Sequence, residues 1–173
     1  MTILGAILAG GQSSRFGSDK AVATLHGERL IDLAQQALAN QCDEVVVIGR
    51  DGGVPDWPAP GLGPLGGVAG ALRHAQANGH HLVLTCGVDS VGLPENLVQL
   101  LSLAPAYVVG QPVIGLWPVE ALPALAERLA GPGSHSMRAF ADGIGARGVD
   151  LHLPLANVNT RDDLARLEQQ DGL

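Results

Sequence analysis

Short apolar runs alternate with stretches of helical periodicity along this chain, and that alternation leaves few folds open. Thr2-Ile3-Leu4-Gly5-Ala6-Ile7-Leu8, Glu44-Val45-Val46-Val47-Ile48 and His81-Leu82-Val83-Leu84-Thr85-Cys86 read as buried strands, and the runs ending in Leu8 and Ile48 lead into glycine. Residues 28–40 place Leu30, Ile31, Ala34, Ala37 and Leu38 on one helical stripe, and residues 68–78 read as a helix stopped by Gly79. Pro94 suits the first turn of a helix running to about residue 103. Residues 106–109 and 112–117 read as strands that a hairpin across Gly110-Gln111 would join, and 119–130 as a helix that tolerates Pro123 only near its start. A helix over 134–141, a strand over 149–153 and a closing helix over 161–170 complete the order. Repeated strand–helix units imply an α/β fold: three α/β/α layers, a mostly parallel sheet, right-handed crossovers and antiparallel pairing in the C-terminal half.

At 173 residues the chain suits one domain, residues 1–173, with a two-faced core. Aromatics make up only 3% of it, so the core is expected to be Leu, Val, Ile and Ala. A formal net charge of −7 argues against a general nucleic-acid surface, yet leaves room for a phosphate ligand, whose affinity follows the local field. The apolar start lacks the basic flank of a signal peptide, and no run reaches the roughly 20 apolar residues that a membrane helix needs. Cys42 and Cys86 match no metal spacing and suit a reducing, cytoplasmic setting. His80-His81 opens a strand and reads as solvent-facing.

The chain has one lysine, Lys20, at the end of Leu8-Ala9-Gly10-Gly11-Gln12-Ser13-Ser14-Arg15-Phe16-Gly17-Ser18-Asp19-Lys20. Backbone amides, an arginine and a lysine within a dozen residues of a strand's C-terminal end make an anion trap, though a solvent-facing loop lysine is the plain alternative. The run is neither a Walker A loop nor Gly-x-Gly-x-x-Gly. It resembles the signature Leu-Ala-Gly-Gly-x-Ser-x-Arg-hydrophobic-Gly-x-Asp-Lys of the Rossmann-like nucleotidylyltransferases, and most closely the molybdenum cofactor guanylyltransferase branch. That resemblance implies a Mg²⁺-dependent transferase that joins GMP from GTP to the terminal phosphate of molybdopterin and releases pyrophosphate. Proteins that deliver molybdopterin or accept the finished cofactor are implied as partners. It also implies nucleotide binding by Leu8, Ala9, Gly10 and Gly11, with Arg15 and Lys20 holding the triphosphate.

Three further stretches follow strands or border them, and are expected on the same sheet edge. Asp89 lies three residues past Cys86, where a carboxylate can ligate Mg²⁺ or serve as a turn or cap residue. The resemblance assigns it to metal and nucleotide, although Gly87 and Val91 replace the family's usual prolines. Gly63-Pro64-Leu65-Gly66-Gly67 resembles the family's Gly-Pro-Leu-x-Gly segment, with Gly63 and Gly67 lining the nucleotide pocket, and Asp56 stands where the family has a nucleotide-contacting aspartate. Asn157-Val158-Asn159-Thr160 alternates so that Asn157 and Asn159 point to one side, while Thr160 caps the last helix with Asp163 in capping-box position. The resemblance makes these two asparagines positioners of metal or substrate. Ile48 stands where the family often has a nucleotide-contacting asparagine, which leaves cytidylyl transfer and a catalytically inactive nucleotide binder as alternatives. The loop over 131–138 carries Arg138, which could meet a second phosphate or simply belong to a helix cap.

Overall fold

The computed structural model describes residues 1–11, 18–152 and 155–171. From the N-terminus, β1 (Ile3–Leu8) leads to a 3₁₀ turn (Lys20–Val22), the short pair β2 (Thr24–Leu25) and β3 (Glu28–Arg29), and α1 (Leu30–Ala39). Then come β4 (Glu44–Ile48), α2 (Pro64–Ala77), β5 (Leu82–Gly87), β6 (Ser90–Val91) and α3 (Leu97–Leu100). The second half holds β7 (Ala106–Val108), β8 (Gln111–Pro118), a 3₁₀ turn (Val119–Ala121), α4 (Leu122–Ala130) and α5 (Met137–Gly143). β9 (Arg147–Val149), β10 (Ala156–Asn157) and α6 (Arg161–Asp171) finish it.

Six strands form one sheet in the order β4-β1-β5-β8-β7-β9. β1 is parallel to β4 and β5, β9 is parallel to β7, and β8 alone runs against its neighbours. The mixed sheet is therefore the α/β architecture expected, with the antiparallel element in the C-terminal half. One core face packs α2, α4 and α5 against Leu4, Ala6 and Val83; the other packs α1, Leu97 and the partly buried Leu164 and Leu167 of α6 against Ile7, Leu84 and Cys86. Each fully buried Leu or Ile contributes about 1.5–3 kcal/mol, enough to hold β1 in place between β4 and β5.

Several boundaries differ from the sequence reading, each for a local reason. α2 begins at Pro64, four residues before the expected 68, because proline at the first helical position presets the backbone and its missing N–H costs nothing there. Only four residues beyond Pro94 become regular helix, Leu97–Leu100. β9 ends at Val149, and Glu28 and Arg29 leave the expected helix to pair with β2. His80 is not solvent-facing: its Nε2 lies 2.8 Å from Glu44 Oε2, with only 10% of its side chain exposed. The core is also not purely aliphatic, since Trp117 and Phe140 are among its largest fully buried side chains, their rings 5.4 Å apart. Thr85 makes this possible by accepting a hydrogen bond from Trp117 Nε1 (2.9 Å) and donating one to the Val113 carbonyl (2.7 Å), so the buried indole N–H is satisfied.

Gly70 lets α2 approach the segment after β4 backbone to backbone, because a Cβ there would collide with the Pro55 carbonyl oxygen. Gly70→Ala is expected to destabilise the protein by about 1–3 kcal/mol through overpacking, read as a lower urea midpoint at unchanged m. Burial pushes the Cys42 and Cys86 thiols up to about 12, so little reactive thiolate exists near neutral pH. Iodoacetamide should leave both unmodified in the native protein and label both after denaturation, as peptide mass mapping would read.

Candidate active site

The three parallel strands end level with one another: Leu8 pairs with Ile48 on one side and with Gly87 on the other. Beyond these ends lies a cleft of about 340 Å³, lined by Leu8, Gly10, Gly11, Ile48, Asp56, Gly61, Gly63, Pro64, Gly67, Gly87, Asp89 and Val113. That volume suits a small-molecule site. Ala9 donates its amide to the Ile48 carbonyl at 3.0 Å. A Cβ on Gly49 would come within 2.8 Å of Gly10 Cα, and Gly49 holds φ 80°, so only glycine allows the loops after β1 and β4 to run this close.

Lys20 and Asp89, 69 residues apart in sequence, meet at the cleft: Nζ lies 3.3 Å from Asp89 Oδ2. Their side chains are 16% and 24% exposed, so both stay within reach of a ligand. Val88 donates to the Leu8 carbonyl (3.3 Å) and Val158 to the Asp89 carbonyl (3.1 Å), which ties the aspartate's turn to β1 and to the C-terminal segment. β10 pairs antiparallel with β6, setting Asn157 opposite Ser90. With its amide nitrogen turned toward Asp89, Asn157 donates to Oδ2 at 3.0 Å and to the backbone carbonyl at 3.2 Å.

Asp56 enters from the loop after β4, held by Val54 bridging to Ile48 and by Trp57 donating to the Gly66 carbonyl at 3.0 Å. Its carboxylate sits among glycines: a Cβ on Gly49 would lie 3.0 Å from Oδ1, one on Gly67 3.6 Å from Oδ1 and one on Gly10 3.7 Å from Oδ2. Among the described residues none donates a hydrogen bond to it, and burial raises its pKa. Gly63 caps α2 at φ 68° without a side-chain hydrogen bond; Pro64 has no N–H to offer, and the Gly66 amide donates to the Gly63 carbonyl at 3.1 Å.

Asn157 and Asn159 are both exposed, with the fully buried Val158 between them. The described hydrogen bond of Asn159 is through its backbone, donated to Asp163 Oδ2 at 3.0 Å. Thr160 also donates its amide to that oxygen (2.8 Å), and Asp163 returns its amide to Thr160 Oγ1 (3.1 Å), the reciprocal cap expected of this spacing. These bonds hold the Asp163 carboxyl below its usual range, the Thr160 hydroxyl contributing most. Arg15 lies outside the described residues. Ile48 is fully buried in the core while bordering the cleft, so its contribution there is apolar. Arg138 pairs with Asp142 of its own helix (3.5 Å), both well exposed.

Two features went unread in the sequence. Val113 of β8 lines the cleft because β8 runs against β5 and so starts at the edge where β5 ends. Arg50, just past β4, forks onto Asp19 with Nη1 2.8 Å from Oδ1 and Nη2 2.6 Å from Oδ2. The available signal was an arginine just beyond a strand that ends on this edge. Its hydrogen bonds hold the Asp19 carboxyl below the usual carboxylate range.

Residues 5–173 match the family described as the MobA-like NTP transferase domain. The chain is 36% identical over 180 residues to the molybdenum cofactor guanylyltransferase of Acidiphilium cryptum, covering 94% of this chain and 92% of that protein. It is 34% identical over 185 residues to the protein of the same name from Rhodobacter capsulatus, covering 98% and 97%. Its fold is similar to molybdopterin-guanine dinucleotide biosynthesis protein A from Archaeoglobus fulgidus, with TM-score 0.78, 18% identity and 98% of each chain covered. It is also similar to 2-C-methyl-D-erythritol 4-phosphate cytidylyltransferase from Thermus thermophilus, with TM-score 0.62, 15% identity, and 97% of this chain and 98% of that one covered. The cleft at the ends of β1, β4 and β5 is thus set in a chain that belongs to the MobA-like NTP transferase family.

Proposed function

We propose that this protein transfers GMP from GTP to the terminal phosphate of molybdopterin, releasing pyrophosphate. The observation that carries the reading is the Lys20 ammonium 3.3 Å from the Asp89 carboxylate at the mouth of a glycine-walled cleft. In such a transfer an oxygen of the acceptor phosphate forms a bond to the α-phosphorus while the bond from that phosphorus to the pyrophosphate oxygen breaks. Both reacting ends are anionic, so the protein's task is charge neutralisation and alignment, with no covalent protein intermediate. The backbone of Gly10 and Gly11 approaches the phosphates, and Lys20, with Arg15, neutralises the charge that grows on the departing pyrophosphate.

Asp89, steadied by Asn157, is the residue that would hold Mg²⁺, with Asn159 two residues further along the chain. Mg²⁺ is usually held by one or two carboxylates together with substrate phosphates, and Asp89 offers one carboxylate at the cleft. When bound, Mg²⁺ supplies positive charge to the phosphate oxygens.

Asp56 supplies the base preference. Its two carboxylate oxygens accept hydrogen bonds only. Guanine presents two adjacent donors, N1–H and the 2-amino group, on its pairing edge, whereas cytosine and adenine each place a ring acceptor next to their amino donor. A desolvated carboxylate without a described donor therefore favours guanine. A raised pKa in the folded state means that the ionised form opposes folding at every pH above that value. Keeping it ionised is a burden on stability that a ligand relieves.

Pyrophosphate release measured with each of the four nucleoside triphosphates, with and without molybdopterin, tests the reading. GTP with molybdopterin is expected to be productive; release from CTP alone would make the enzyme a cytidylyltransferase, and binding without release an inactive homologue. Lys20→Ala should lower kcat/KM by about 100-fold or more while leaving Tm unchanged, since a loop ammonium supports little core. Full turnover in that variant would refute the role. Asp56→Asn should raise the KM for GTP by about tenfold or more, from loss of charged hydrogen bonds, and narrow the preference over ATP and CTP. It should also keep or raise Tm at neutral pH, an outcome opposite to that of a structural aspartate.

A further inference from the structure

Lys20 is useful only if its ammonium is held where the phosphates react. The lysine opens a 3₁₀ turn of three residues, Lys20–Val22, too short to fix itself. Asp19 caps that turn, accepting from the Ala21 amide with Oδ1 at 3.1 Å. The same carboxylate is gripped on both oxygens by Arg50, at 2.8 and 2.6 Å, 31 residues away and just past β4. β4 is registered on β1 through Leu8 and Ile48, so the guanidinium carries the position of the sheet edge to the base of the lysine.

We propose that Arg50 is a positioning residue for the transfer reaction, fixing Lys20 against Asp89 through the Asp19 carboxylate. The proposal rests on the reading of the cleft as a nucleotidyl-transfer site. Both ends of the Arg50 guanidinium are engaged by the Asp19 carboxylate, so its effect on the reaction runs through that partner. The side chains of Arg50 and Asp19 are 29% and 46% exposed, and ion pairs this open contribute little to folding. What the pair supplies is geometry: a planar fork on a carboxylate fixes direction as well as distance, which a lysine's point charge does not. An error of about 1 Å in placing a catalytic group can cost about 100-fold in rate, so a weak contributor to stability can still be a strong contributor to turnover.

The experiment compares wild type, Arg50→Ala, Arg50→Lys, Asp19→Ala and the Arg50→Ala/Asp19→Ala double variant. One measurement is kcat and KM for pyrophosphate release from GTP. The other is the rate at which acetic anhydride labels the Lys20 amine, resolved by peptide mass spectrometry; with one lysine in the chain, side-chain labelling reports that position alone. Each single alanine variant should lose about tenfold or more in kcat with little change in KM and none in Tm. The double variant should be no worse than the poorer single one, because both act through one linkage. Arg50→Lys should fall between, and Lys20 labelling should accelerate severalfold in both alanine variants. An unchanged kcat, additive losses in the double variant, or wild-type labelling of Lys20 in Arg50→Ala would overturn the proposal. Absence of pyrophosphate release by the wild type would instead remove the transfer reading, with labelling still deciding whether Arg50 fixes the lysine.

Discussion

The level ends of β4, β1 and β5 are the constraint on which everything else hangs. Leu8 is paired with Ile48 and with Gly87, so three loops leave the sheet at one height and must share one space. A strand rises about 3.3 Å per residue. A slip of one residue between β1 and β5 would thus shift Asp89 by as much as its whole distance to Lys20, 3.3 Å, and would turn buried side chains to the opposite face. Burial of Leu4, Ala6 and Ile7 on β1 and of Val83, Leu84 and Cys86 on β5 forbids that slip. Register, held by the hydrophobic effect deep in the molecule, sets a charged contact at its surface.

The charges themselves add little to stability. Lys20 and Asp89 lose much of their hydration, which offsets the attraction between them, and the Asp56 carboxylate sits partly desolvated with its pKa raised. Groups whose surroundings oppose their charged form in a cleft are the mark of a site shaped for a ligand. Glycine makes the shape. Gly49 at φ 80° lets two loops touch through their backbones, and Gly70 lets α2 press against the Asp56 segment, so the carboxylate is placed by main chain and not by side-chain partners.

Much of this was legible in the chain. The strands ending at Leu8, Ile48 and Cys86 were readable because fully buried parallel strands are near-continuous apolar runs, and the cap joining Thr160 to Asp163 because its spacing is local. The gathering of Lys20, Asp56 and Asp89 follows from one rule, that loops after parallel strands share an edge, whereas Asn157 arrives through the pairing of β10 with β6. Less legible were features that depend on contacts between distant segments. The start of α2 at Pro64, the turn of His80 onto Glu44 and the grip of Arg50 on Asp19 leave no periodic trace.

Sequence alone therefore determined the element types, the edge of the sheet where chemistry gathers, and the residue types available there, because hydrophobic period and strand-end glycines are local properties of the chain. The tertiary structure decided which of those groups touch. Whether Asp89 meets a lysine, whether Asp56 has a donor, and which arginine steadies the loop all depend on strand register and backbone approach, and those arise only when segments far apart in sequence pack together.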